Sequence, residues 1–187
     1  MFSPLRQVIK KFTFSGGLEM DTQTPRFSEK FLPYVCLGDS ISVDIGDYTI
    51  TARIAHDDSP DKPDERDCGF WPSLDPNAAG YIGDGNGWRK RFEEQQAKAE
   101  SVMAAWLNDE WFYCGIILSV TIGETELTDH AASLWGIEAN YPDSDNSYLT
   151  QVANELLSEA LDAAKAERKR LCATLCTKGR LHTESVA

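Results

Sequence analysis

The sequence predicts an α+β domain, a four-stranded antiparallel sheet of two hairpins with two main helices on one face, in the order ββ-α-ββ-α. Two observations carry the sheet. Residues 40–55 and 111–138 are rich in β-branched and aromatic side chains, and each stretch is broken in the middle by a glycine followed by an acid. A third carries the helices: apolar residues recur at helical spacing after Trp88 and again after Tyr148.

Taken in order, Ser3 and Pro4 fit the start of a short amphipathic helix over 3–13. Ser15-Gly-Gly-Leu-Glu-Met20 would be encoded as GGN-GGN shortly before an ATG, the pattern of a ribosome-binding site, which makes Met20 an alternative start. N-terminal sequencing that found Met1 or Phe2 would reject that start. Ile41, Val43 and Ile45 alternate with polar residues, Gly46-Asp47 makes the turn, and Tyr48, Ile50, Ala52 and Ile54 resume the alternation. Residues 57–87 hold four prolines and five glycines and read as one long irregular loop, a length that usually marks a functional segment. A helix over Trp88–Leu107 follows, with Phe92, Ala99, Val102, Met103 and Trp106 as its apolar stripe. A strand over Trp111–Ile122, a turn at Gly123-Glu124 and a strand over Thr125–Glu138 make the second hairpin. The last helix, capped by Asn146 or Ser147, carries Leu149, Val152, Ala153, Leu156, Leu157, Ala160, Leu161 and Ala164 on one face and ends near Leu171. The expected organisation is an N-terminal extension over 1–33, one domain over 34–176 and a flexible tail over 177–187.

Composition narrows the function classes. The longest apolar run, around Gly115–Val120, falls far below the roughly 20 residues that span a bilayer. Arg6, Lys10 and Lys11 interrupt the apolar residues of the first fourteen, which leaves no secretory h-region, so a cytoplasmic protein is expected. The five cysteines lack CxxC spacing, which argues against a disulfide framework or a four-ligand zinc site. The net charge of −12 is unevenly spread: Ala99–Ala164 holds twelve Asp or Glu and no Lys or Arg, while the rest of the chain balances. Direct nucleic-acid binding is disfavoured, and no cofactor is implied.

Several short motifs invite chemistry. Gly38-Asp39-Ser40-Ile41 resembles the nucleophile block of GDSL-type esterases, but neither late histidine has the aspartate three residues earlier that such enzymes carry. Asp143-Ser-Asp145-Asn-Ser147 opens like a calcium loop, yet Tyr148 replaces the turn glycine; acids before a helix N-terminus are explained by the helix dipole. The glycines between Gly80 and Gly87 precede a helix that could receive a phosphate, without the lysine of a P-loop. His56, Asp57, Asp58 and Asp61 are hard ligands suited to a divalent ion. Phe70 and Trp71, large aromatics in a polar loop, serve either to pin it to the core or to anchor a partner. On the last helix Glu155, Glu159 and Asp162 lie opposite the apolar face as one exposed acidic stripe, too sparse alone to imitate duplex DNA, which carries about one charge per 1.7 Å.

The stretches Trp106–Ile117, Ala132–Glu138 and Tyr148–Leu157 resemble small acidic proteins encoded by phages and other mobile elements. The likeness spans about residues 40–165, departs in the central loop and carries no catalytic residue over. It implies an accessory gene, a setting where host takeover and anti-defence functions are common. The expectation is a non-enzymatic protein that binds a host or defence protein through its acidic surface, with Phe70, Trp71, Glu155, Glu159 and Asp162 as partner contacts. Two alternatives stand beside it: a small metal- or ligand-binding enzyme using the loop over 56–67, and a self-associating structural protein, for instance a homodimer.

Overall fold

The computed structural model describes residues 25–58, 61–66 and 69–183, with side chains through 176. The helix expected over 3–13, the start at Met20, and Asp67 and Cys68 of the acidic loop lie outside the described residues. Four strands, β1 (Ser40–Ile45), β2 (Tyr48–His56), β3 (Phe112–Ile122) and β4 (Thr125–Ala139), form one antiparallel sheet in the order β1-β2-β3-β4. Helix α1 (Trp88–Leu107) joins the hairpins and helix α2 (Ser147–Thr183) follows the second, so the chain is α+β in the expected order.

Each hairpin closes through two residues, the first a glycine with positive φ: Gly46 at 63° and Gly123 at 56°. Ile45 therefore faces Tyr48 and Ile122 faces Thr125. A glycine at the first central position is what a II′ turn needs, and that turn matches the right-handed twist of the strands. Register then follows from alternation. Ile50, Ala52 and Ile54 of β2 stand opposite Val120, Leu118 and Ile116 of β3, all fully buried.

Helix α2 covers this face. Leu149, Val152, Ala153, Leu157, Ala160 and Ala164 are buried against the sheet at spacings of three and four, the periodicity that puts them on one side of a helix. Burying each Leu or Val contributes on the order of 1.5–3 kcal/mol. The helix runs to Thr183, well beyond the end expected near Leu171, and so occupies 177–183 of the expected tail. Its later residues are good helix formers, Ala, Lys, Arg and Glu, which propagate a helix without an apolar face to dock.

Helix α1 departs from expectation: it does not share the α2 face. Its stripe has only three buried residues, Ala99, Val102 and Ala105, and Phe92, Met103 and Trp106 stay half-exposed. What holds it is a second, smaller core of Val102, Ala105, Trp111 and Tyr113, with Phe70, Trp106 and Tyr141 against it. Trp111, 1% exposed, donates its indole N–H to the Val102 carbonyl at 3.0 Å and meets Tyr113 and Tyr141 edge-on. Tyr113 lies one residue from Cys114 of the main core and therefore projects from the opposite face of the sheet.

Residues 25–37 form a strap that the boundary expected at 33 would divide. Phe27, Phe31 and Val35 enter the main core. Their backbone N–H groups donate to side chains far along the chain: Phe27 to Asn154, Phe31 to Thr150 and Val35 to Asn140, at 2.9, 3.0 and 2.9 Å. The strap is fastened by Asn146, which donates to the Pro33 carbonyl and to Asn140 Oδ1 while its own Oδ1 accepts from the Asn140 N–H.

Candidate functional site

The base-free segment Ala99–Ala164 folds into the second half of α1, then β3, β4, the turn after it and the first half of α2, the last four packed on one another. Glu126, Asp129, Asp143, Asp145, Glu155, Glu159 and Asp162 are all exposed on β4, that turn and α2. The predicted acidic stripe is present on α2, and β4 and the turn add to it. Gln151 donates to Glu155 at 2.9 Å, and Lys165, the first base after the segment, pairs with Asp162 at 3.2 Å. Asp145 accepts from the Ser147 N–H at 2.9 Å, and hydrogen bonds from Ser147 hold its carboxyl below the usual carboxylate range. Arg168 reaches instead to the first hairpin, bonded to the Tyr48 hydroxyl and to Asp47 in its turn, contacts that strengthen its hold on its proton.

Two hollows open in the cleft between β4 and α2. One, of about 580 Å³, is lined by Glu126, Asp129, Ala163, Ala166, Glu167 and Arg170. Glu167 and Arg170 occupy each other as a bidentate pair, which lowers the carboxyl pKa and raises that of the guanidinium. The other, of about 510 Å³, lies where the first turn of α2 meets the end of β4, among Leu134, Ile137, Tyr141, Tyr148 and Leu149. Ile137 and Leu149 are buried, while Leu134 and Tyr148 are 43% and 53% exposed, so apolar surface is open to solvent at a concavity. Among the described residues every buried side-chain nitrogen and oxygen has a partner, so neither hollow presents an orphaned polar group.

The β4 strand reaches this position through a bulge. Cys114 faces Ile137 and Ile116 faces Leu134, which leaves Trp135 and Gly136 opposite Gly115. Trp135 lies over Gly115 so closely that a Cβ there would sit 2.3 Å from its ring. Nearby Glu138, opposite Tyr113, has its pKa raised by burial, partly offset by the Arg66 guanidinium that lies 4.0 Å over the Tyr113 ring.

The other predicted residues are dispersed. Phe70 packs half-buried against the second core and meets Trp71 edge-on at 5.1 Å, so Phe70 pins the loop and Trp71, 36% exposed, stands outside it. In the acidic loop His56 Nδ1 and Asp58 Oδ1 are 3.0 Å apart, Asp57 acts on Cys114 across the strand, and Asp61 is exposed. No three described His, Cys, Asp or Glu residues converge as a metal site. The glycines before α1 turn carbonyls inward: Arg91 donates to those of Gly83, Gly85 and Asn86, occupying the place where amides would have to receive a phosphate. Sequence reasoning missed one pair, His130 and Ser133, whose Nε2 and Oγ are 2.8 Å apart. Both sit in the middle of β4, His130 exposed and Ser133 half-buried, and among the described residues no carboxylate bonds the other ring nitrogen to complete a relay. No described helix is long and apolar enough to cross a membrane.

Comparison with known protein families, with curated proteins and with solved structures found no match.

Proposed function

We propose that this chain is a non-enzymatic accessory protein that binds another protein through the acidic flank of β4 and α2. One observation carries the reading: most of the acids of the 99–164 segment, which is free of Lys and Arg, stand exposed on β4, the following turn and α2. Like charge concentrated on one flank weakens the compact state by self-repulsion and favours encounter with a cationic partner. Glu155, Glu159 and Asp162 supply the α2 part of that surface, and Trp71 is an additional aromatic contact. The likeness of three stretches to mobile-element proteins supports a host or defence protein as the partner.

The test is purification of partners from a bacterial lysate on the full chain and on the triple variant E155K/E159K/D162K, at about 0.1 M and about 0.5 M salt. The Debye length falls from about 10 Å at 0.1 M to about 3 Å at 1 M, so an electrostatically held partner is released by salt. A stoichiometric partner retained at low salt by the native chain, and lost both at high salt and from the variant, supports the reading. Identical proteins on both chains at both salts overturn it.

A further inference from the structure

The hollow at the first turn of α2 specifies what the acidic flank accepts. Its floor is Ile137 and Leu149, buried to 4% and 1%, and its walls include Leu134 and Tyr148, each about half open to solvent. A concavity of about 510 Å³ falls within the roughly 300–1,000 Å³ of ordinary binding clefts and is large enough to admit a big side chain. With every buried polar side-chain atom among the described residues already bonded, the hollow offers shape and apolar contact instead of fixed hydrogen bonds. That suits an anchor side chain better than a small polar metabolite.

The rim is acidic. Glu138 belongs to the lining, and Asp143 and Asp145 flank Ser144, which also lines the hollow. Two cations reach this rim from outside the segment, Arg66 toward Glu138 and Lys30 toward Asp145, while no ion pair engages Asp143 among the described residues. A second copy of the chain is a poor occupant, because a twofold contact sets the same acidic patch against itself with no cation from the partner to meet Asp143. Strand addition to β4 is also disfavoured. Its pairing with β3 shifts register at three places, and bulges of that kind twist an edge away from further pairing.

We infer that the hollow receives an aliphatic or aromatic side chain from a cationic segment of the protein partner, with neighbouring Lys or Arg of that segment meeting Asp143, Asp145 and Glu138. This rests on the proposed acidic-flank function and adds to it the point of attachment and the chemistry of the bound segment.

The experiment uses the full chain, isotopically labelled, and three synthetic ten-residue peptides: lysine-rich with one central tryptophan, the same with alanine at the centre, and the first with glutamate replacing lysine. Titration followed by amide NMR is expected to move Leu134, Ile137, Tyr148 and Leu149 with the tryptophan peptide. The alanine peptide binds at least about tenfold more weakly, about 1.4 kcal/mol, and the glutamate peptide does not bind. The double variant L134K/Y148K, altered only at exposed side chains, loses the same preference for tryptophan. If tryptophan and alanine peptides bind equally, with shifts confined to Glu155, Glu159 and Asp162, the inference falls and the acidic-flank function stands. If no lysine peptide shifts any resonance, the inference falls, and partner purification decides the function separately. Light scattering that shows a native dimer dissociated by L134K/Y148K also overturns the inference, in favour of a second copy.

Discussion

Replacing Asn146 with alanine tests how the strap is held. Asn146 is 1% exposed and adopts φ 56°, a left-handed conformation that asparagine tolerates better than alanine. Its side chain makes three bonds of 2.8–2.9 Å, to the Pro33 carbonyl, to Asn140 Oδ1 and from the Asn140 N–H. Truncation leaves the Pro33 and Asn140 backbone groups without these partners in a poorly hydrated place, at about 1–3 kcal/mol for each unsatisfied group. The left-handed backbone adds about 1 kcal/mol for alanine. The expected loss is about 3–7 kcal/mol, a large part of the roughly 5–15 kcal/mol that holds an ordinary domain. With a urea m-value of about 2 kcal/mol/M, the midpoint falls by about 1.5–3.5 M at unchanged slope, read by far-ultraviolet circular dichroism and tryptophan fluorescence. Asn146→Gly, which relieves the backbone strain, should recover about 1 kcal/mol of that. In both variants the Val35 amide, bonded to Asn140, loses protection from hydrogen exchange. A midpoint shift below about 0.5 M for alanine would refute the clasp, and equal losses for alanine and glycine would refute the strain component.

Burial, with a smaller contribution from Asp57, pushes the Cys114 thiol up from its ordinary 9.0 to about 12. The folded state therefore keeps the neutral thiol, and its contribution to stability is intact below about pH 9 and lost as pH rises toward 12. Urea midpoints measured at pH 8 and 10 should fall more for the native chain than for Cys114→Ala, and native thiol labelling at pH 8 should modify Cys36, Cys172 and Cys176 but spare Cys114. Gly115→Ala places a methyl group 2.3 Å from the Trp135 ring, so the indole must swing out and the bulge reshape, at about 1–3 kcal/mol. A red-shifted Trp135 emission, isolated by comparison with Trp135→Phe, reports the movement, and an unchanged spectrum with unchanged stability would contradict the packing.

The candidate site was partly legible before any fold was known. The stripe of Glu155, Glu159 and Asp162 follows from helical spacing opposite an apolar face, and it is exposed as that spacing requires. The wider flank was not legible, because whether Asp129 and Asp143 stand near that helix depends on which elements pack together. The hollow between Leu134 and Tyr148 was invisible for a related reason. It depends on a bulge that shifts β4 against β3 at the place where Trp135 lies on Gly115, a contact across the sheet that spacing along the chain does not mark.

What the sequence determined by itself was local: two hairpins closed by Gly46 and Gly123, the span of α1, and the buried face of α2. These follow from turn chemistry and from periods of two and 3.6, which act over a few residues. Tertiary structure decided the rest. It set α1 beside Trp111 instead of on the α2 face, because three small buried residues make too narrow a stripe to choose a surface. It also drew residues 25–37 into the domain through bonds between groups 105–127 positions apart. Contacts at that separation leave no periodic trace in the chain, since the polar side chains that make them are identified as partners only when folding brings them together.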